Sequence, residues 1–252
     1  MRLKDRVAIV VGAGQSPGEG MGNGRATALT FAREGAKVMC VDHNIESAQE
    51  TVDMIGAKGG TAVAFKADVT RQTEIKAMVA DAHGRWGSID ILHNNVGVSI
   101  AGGDAELLDI TEEALDRCIA INLKSCIFAA KHVIPIMRQQ NSGVIINISS
   151  MAVITTYPYV AYKATKSAMV AFTEQLAYQN AQYGIRANVI LPGLMNTPMA
   201  VDTRAREFNK SRAEVAAERD AKVPLRRKMG TGWDVATPRC SWRPMKPTSS
   251  PA

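Results

Sequence analysis

Short apolar runs alternate with amphipathic stretches along nearly the whole chain, and the residues able to do chemistry gather where those runs end. Val7–Val11 is the first run, closed by glycine. A helical pattern follows over Gly24–Glu34, with Ala26, Ala28, Leu29, Phe31 and Ala32 available for an inner face. Strands are then expected at Lys37–Val41, Thr61–Lys66, Ile89–His93, Gly143–Ile148 and Arg186–Leu191. Helices are expected at Ile45–Lys58, at Gln72–Arg85, within Glu112–Gln140 and from Pro158 to Tyr183. Strands separated by helices pair in parallel through right-handed crossovers, so the expected fold is a single α/β domain with a doubly wound parallel sheet. Ligands of such sheets bind beyond the carboxyl ends of the strands. Gly12, Asp42, Asp68, Asn94–Gly97, Ser149, Ser150, Pro192 and Gly193 all fall at those ends.

Composition narrows the function classes. Hydrophobic residues make up 46% of the 252, enough for one core. No uninterrupted apolar run approaches ~18 residues, and the start MRLKDRVAIVV lacks a secretory apolar stretch, so a membrane partner is not expected and the location reads as cytoplasmic. Cys40, Cys118, Cys126 and Cys240 form no C-x-x-C pair, so no metal site is expected. The net charge of +6 equals the sum of Arg226, Arg227, Lys228, Arg239, Arg243 and Lys246, all close to the carboxyl end. The excess therefore belongs to one segment, and a nucleic-acid partner is not expected.

Between the first strand and first helix the chain reads Gly12-Ala13-Gly14, an excursion, and then Gly20-Met21-Gly22-Asn23-Gly24-Arg25. A pyrophosphate needs close backbone approach and amides at a helix start, which glycines permit. A carboxylate at Asp42 can accept hydrogen bonds from ribose hydroxyls and repels a 2′-phosphate, which favours NAD over NADP. Farther on, Tyr162 and Lys166 stand four apart on a helix, so phenol and ammonium share a face. A free phenol titrates near ~10, and a nearby ammonium favours the phenolate. A serine hydroxyl at the end of the preceding strand, from Ser149 or Ser150, can hydrogen-bond a substrate oxygen while charge develops on it.

The order of these motifs resembles the short-chain dehydrogenase/reductase family over about residues 5–235. The resemblance implies a Rossmann-like domain and hydride transfer between NAD(H) and a secondary alcohol or ketone. The family glycine pattern TGxxxGxG matches Gly12, Gly22 and Gly24, with Asn23 between the last two. Val11 replaces the usual threonine, and Gly12 and Gly24 lie 12 residues apart, twice the family separation. Residues 15–20 then form an extra bulge near the phosphates or adenosine ribose. Asp68 and Val69 correspond to the family's adenine contact, and Asn94-Asn95-Val96-Gly97 to its NNAG, with Asn95 beside the cofactor. Pro192, Gly193, Met195 and Thr197 correspond to the PGxVxT segment over the nicotinamide. The implied catalytic residues are Tyr162 as acid and base, Lys166, Ser150 and Asn122, the last holding a proton-relay water. Ser149 stands at the family's usual separation from Tyr162; Ser150 is preferred because the strand anchors it, and both stay open. The family also implies a dimer or tetramer. A 3-oxoacyl reductase is a rival within the class, weakened by Asp42 because many such enzymes use NADPH. Tyr157, Tyr159, Met195 and Met199 suggest an apolar substrate, with Thr155–Tyr159 and Met199–Arg219 lining or covering its pocket.

The carboxyl end departs from the family, which continues into a helix and a last strand. Four of the ten prolines fall in the last 15 residues, and proline inside a helix costs roughly 3 kcal/mol. Residues 236–252 are accordingly expected to be an aberrant, disordered tail, with the last helix and strand missing. Back-translation of 236–252, read in the adjacent frame, yields HAALFLASDEANFIAG, a family-like ending. A one-nucleotide deletion near codon 236 would explain both, and gene sequencing across codons 232–253 tests it. The expected consequence is an exposed sheet edge and poor folding or assembly. The rival functional class, supported only by this tail, is a redox-inactive nucleotide-binding protein or decaying gene product.

Overall fold

Val7–Val11, strand β1, is buried at every position, as a central strand of a sheet covered on both faces must be. The computed structural model describes residues 1–236. After β1 come α1 (Asn23–Arg33), β2 (Lys37–Asp42), α2 (Ile45–Gly56), β3 (Thr61–Lys66), α3 (Gln72–Trp86) and β4 (Ile91–Asn94). The second half holds α4 (Glu112–Ile119), α5 (Ser125–Gln140), β5 (Gly143–Ile148), α6 (Val160–Asn180) and β6 (Ile185–Ile190). A smaller set follows: β7 (Met195–Asn196), α7 (Asp202–Glu207), α8 (Arg212–Asp220), β8 (Gly230–Thr231) and α9 (Gly232–Ala236).

The main sheet runs β3-β2-β1-β4-β5-β6, every pair parallel. The chain leaves β1 toward β2 and returns to β1's other side at β4, so the switch point lies between β1 and β4. Alternation along β1 sorts the two cores. Ile9 and Val11 join the cluster under α3 and α5, while Ala8 and Val10 join the one under α1 and α2. A third, smaller cluster of Val201, Ala205, Val215 and Met229 holds α7 and α8 together.

Local chemistry explains where boundaries differ from expectation. β4 starts at Ile91 because Ile89 is engaged by the Gln140 amide, which accepts from its N–H at 2.9 Å and donates to its carbonyl at 3.0 Å. Helices α4 and α5 form one continuous stretch joined by a π-helical turn at Ala120–Lys124. That stretch, Glu112–Gln140, is long and apolar enough by composition to cross a membrane. It packs on the sheet here, with Ala129, Val133 and Met137 inside the core. The anticipated tail lies outside the described residues apart from Ala236, which is helical and buried. Among the described residues β6 pairs only with β5.

Candidate active site

The carboxyl ends of β1 and β2 meet at the glycine-rich turn. Gly12 has φ +81°, a left-handed conformation that favours glycine. A Cβ on Gly24 would overlap the Gly12 carbonyl oxygen, so the start of α1 can lie against the turn only as glycine. Asn95 donates to that same carbonyl at 3.2 Å. Gly22 precedes α1 and provides no side-chain cap, which leaves first-turn amides from Asn23 onward for a ligand. The 15–20 excursion is closed by Gln15, which donates to the Gly20 carbonyl and accepts from the Gly22 N–H at 3.0 Å.

Asp42 faces this turn. Its carboxylate accepts from the Gly14 N–H at 3.0 Å and from the Asn44 N–H at 3.1 Å. The nearest cation of α1, Arg25, is turned to α2, donating to Thr51 at 2.9 Å and to Glu50 at 2.8 Å. Asp68 and Val69 follow β3 beside Asp42. Thr70 donates to Asp68 from its hydroxyl and its N–H, which holds that carboxyl below its ordinary range. Beyond β6, the Pro192 carbonyl accepts from the Met151 N–H at 3.0 Å, and Gly193 follows it. Met195 lies in β7 opposite Gly230, and Thr197 is buried. A glycine cradle, free helix amides and a strand-end carboxylate fit a dinucleotide.

The second group gathers around β5 and α6. Ser149 is buried and donates to the Lys166 carbonyl at 2.8 Å. Ser150 is turned the other way: its hydroxyl accepts from the Ala152 N–H at 3.1 Å and lies close enough to the Tyr162 phenol to act on its titration. Lys166 is 2% exposed, donating to the Ile148 carbonyl at 2.8 Å and more weakly to that of Val96 at 3.4 Å. Burial pulls its ammonium down to about 8. The expectation that this ammonium lowers the Tyr162 phenol needs correction. Burial raises the phenol above its ordinary value, and the Ser150 hydroxyl opposes that rise. The Lys166 nitrogen stands 5.8 Å from the centre of the ring, held by carbonyls rather than by the phenol oxygen. Asn122, in the π turn, accepts from the Val98 N–H at 2.7 Å and donates to the Val98 carbonyl at 2.9 Å and to Thr165 at 3.1 Å. Gly97 leaves room between them: a Cβ there would come within 2.9 Å of the Lys166 nitrogen. Asn94 donates to Asn147 at 2.8 Å, tying β4 to β5 under the site.

Asp104 is the positioning residue that sequence reasoning missed. Its carboxylate accepts from the N–H groups of Ala161 at 2.8 Å and Tyr162 at 2.9 Å, capping α6 from a distant loop. Ser99 donates to Asp104 at 3.1 Å and bonds the Tyr157 hydroxyl at 2.9 Å. A lone aspartate after Gly102-Gly103 carries no local signal for a cap on a helix 56 residues away.

The family model described as short chain dehydrogenase matches residues 6–207. Oxidoreductase UcpA of Salmonella typhimurium is 38% identical over 229 residues, covering 90% of this chain and 83% of that protein. The crystal structure of a putative short-chain dehydrogenase/reductase from Burkholderia xenovorans superposes with a TM-score of 0.85 at 35% identity, covering 95% of this chain and 89% of that one. The structure of NAD+-bound xylitol dehydrogenase gives 0.83 at 30% identity, covering 94% and 91%.

Proposed function

This chain belongs to the short-chain dehydrogenase family, and from that premise we propose that it moves hydride between NAD(H) and a secondary alcohol or the corresponding ketone. The observation that carries the reading is the buried Lys166 ammonium 5.8 Å from the centre of the Tyr162 ring, with Ser150 acting on the same phenol from the end of β5. NAD is favoured over NADP because Asp42 turns a carboxylate toward the glycine turn and Arg25 is already paired with Glu50. Similarity to an NAD+-bound xylitol dehydrogenase agrees with that preference. A cytoplasmic location and a dimer or tetramer belong to the same reading.

Gly12, Gly22, Asn23, Gly24 and Asn95 would hold the pyrophosphate side of the dinucleotide, Asp42 its ribose, and Asp68 and Val69 its adenine. Pro192, Gly193, Met195 and Thr197 would hold the nicotinamide side. When bound, the nicotinamide supplies the hydride acceptor or donor. Tyr162 holds the transferable proton on its phenol oxygen. Ser150 donates to the substrate oxygen as negative charge builds there. Lys166 brings a positive charge beneath both, and Asn122 fixes the Val98 backbone that walls the site.

The test offers NAD+ and NADP+ separately with a panel of secondary alcohols while reduced nicotinamide is followed by absorbance. Turnover with NAD+ is expected. Tyr162→Phe should lose ~100- to 10,000-fold in kcat/KM, the usual worth of a general acid/base, while still binding NADH by fluorescence. NADH binding without turnover of any alcohol would mean a redox-inactive nucleotide-binding protein.

A further inference from the structure

Two arginines of the segment after β7 lie within electrostatic reach of the tyrosine pair without an acidic partner. Arg204, in α7, donates to the Ala200 carbonyl at 3.0 Å and reaches the Tyr157 hydroxyl at 3.5 Å. Arg219, in α8, has its Nε buried with no hydrogen-bond partner. Both guanidinium groups act electrostatically on the Tyr162 phenol, whose ring lies 5.3 Å from that of Tyr157. They also repel each other, and burial with that repulsion lowers the Arg219 guanidinium to about 10. It therefore stays charged at neutral pH.

Two other cations of this segment do have acidic partners. Arg212 is met by Asp202 and Glu19, and Lys228 by Asp220. Asp202 and Asp220, next to these arginines in sequence, are thus engaged by other cations. Among the described residues no carboxylate lies within ion-pair distance of either arginine. A buried guanidinium N–H without an acceptor, beside a second cation, costs stability and does nothing for the fold. A negative group arriving with the ligand would satisfy both.

Building on the dehydrogenase reading above, we infer that the substrate carries a carboxylate, held by Arg204 and Arg219 while its alcohol or ketone carbon faces Tyr162. The substrate class is then a hydroxy acid or oxo acid. Tyr157 and Tyr159, packed edge to face at 5.6 Å, form an apolar wall between the two ends of such a molecule. The apolar substrate suggested by aromatic and methionine content thereby acquires a charged terminus.

Lactate, 3-hydroxybutyrate and 4-hydroxypentanoate place the carboxylate progressively farther from the reacting carbon. Each is compared with its methyl ester and with 2-butanol, using the full chain and NAD+. At least one acid should exceed its ester by ~10- to 100-fold in kcat/KM, the range of charge-assisted hydrogen bonds. Arg219→Met and, separately, Arg204→Gln should lower the acid by that factor relative to 2-butanol. NADH binding by the variants shows that they are folded. A thermal-shift arm without nucleotide should show the preferred acid, but not its ester, raising the melting temperature of the wild type and not of Arg219→Met. Turnover in which no acid outpaces its ester, or variants that slow acid and alcohol alike, overturns the inference and leaves the dehydrogenase reading intact. A specific thermal shift with no turnover of any compound overturns the dehydrogenase reading while the anion site stands. A phosphate monoester that shifts the melting temperature where no acid does would overturn the carboxylate assignment.

Discussion

Lys166 carries its charge in a place that disfavours charge. A surface lysine keeps its ammonium in water, whereas this one is 2% exposed with two main-chain carbonyls as acceptors. Its ammonium titrates at about 8 when folded and near ~10.4 when unfolded. Between those values the unfolded chain binds more protons, so this residue's contribution makes stability rise with pH across that window. Below about 8 both states are charged and the burial penalty is complete. Cys40, Cys118 and Cys126 work in the opposite sense above pH 9, since burial pushes their thiols up to about 12, 11 and 11. The clean observable is therefore a difference. Lys166→Met leaves two carbonyls unpartnered at every pH but removes the penalty only below the window. The stability of Lys166→Met relative to wild type should thus fall as pH rises from 8 to 10, measured by urea unfolding. A pH-independent difference would show that the ammonium is not penalised by burial. The residue itself was legible: Tyr162 and Lys166 share a face by spacing alone. Where the two serines point was not, because their spacing to Tyr162 differs by one residue and only the backbone turn after β5 sets the Ser149 hydroxyl on the Lys166 carbonyl and the Ser150 hydroxyl on the Ala152 N–H.

At the level of elements, α6 depends on a cap it does not encode. Tyr159 precedes the helix and offers no side-chain cap. Asp104 takes two of the orphan N–H groups, and its negative charge lies favourably at the positive end of the helix. Since one of those groups is the N–H of Tyr162 itself, the cap also fixes where the phenol stands. Asp104→Ala should cost about 1–2 kcal/mol in unfolding free energy and should lower kcat more than it weakens NADH binding. Asp104→Asn keeps an acceptor and should recover most of the stability. Equal kcat in Asp104→Ala and wild type would mean that the helix start is held by packing alone. The sequence made the six strands and the helices between them readable because each apolar run is a strand of the parallel sheet and each periodic stretch a helix covering it. Loop-borne determinants such as Asp104 are invisible to periodicity, as are α7 and α8, whose apolar residues face a cluster of four rather than the main core.

Across the whole molecule, the same excursion that departs from the family glycine pattern connects the two ends of the candidate site. The Glu19 N–H donates to Asp202 at 3.1 Å, Arg206 reaches the Pro17 carbonyl at 3.2 Å, and Arg212 reaches the Glu19 carbonyl at 3.4 Å while pairing with Asp202. The turn that would hold the pyrophosphate is therefore bonded directly to α7 and α8, which carry Arg204 and Arg219. Ordering one side should order the other, because these contacts are lost if either moves. Exposed ion pairs are individually weak, at ~0–1 kcal/mol, so the coupling rests on the buried Asp202 carboxylate, which joins all three segments. Saturating NADH should slow tryptic cleavage after Arg206, Lys210 and Arg212 in limited proteolysis of the full chain. Asp202→Asn keeps the fold of the main sheet but removes the charge on which Arg212 and the Glu19 N–H converge, so protection by NADH should shrink. Cleavage that NADH leaves unchanged in the wild type would show that the turn and the α7–α8 segment move independently. The extra residues in the glycine turn would then be a surface loop with no part in holding the segment over the tyrosines.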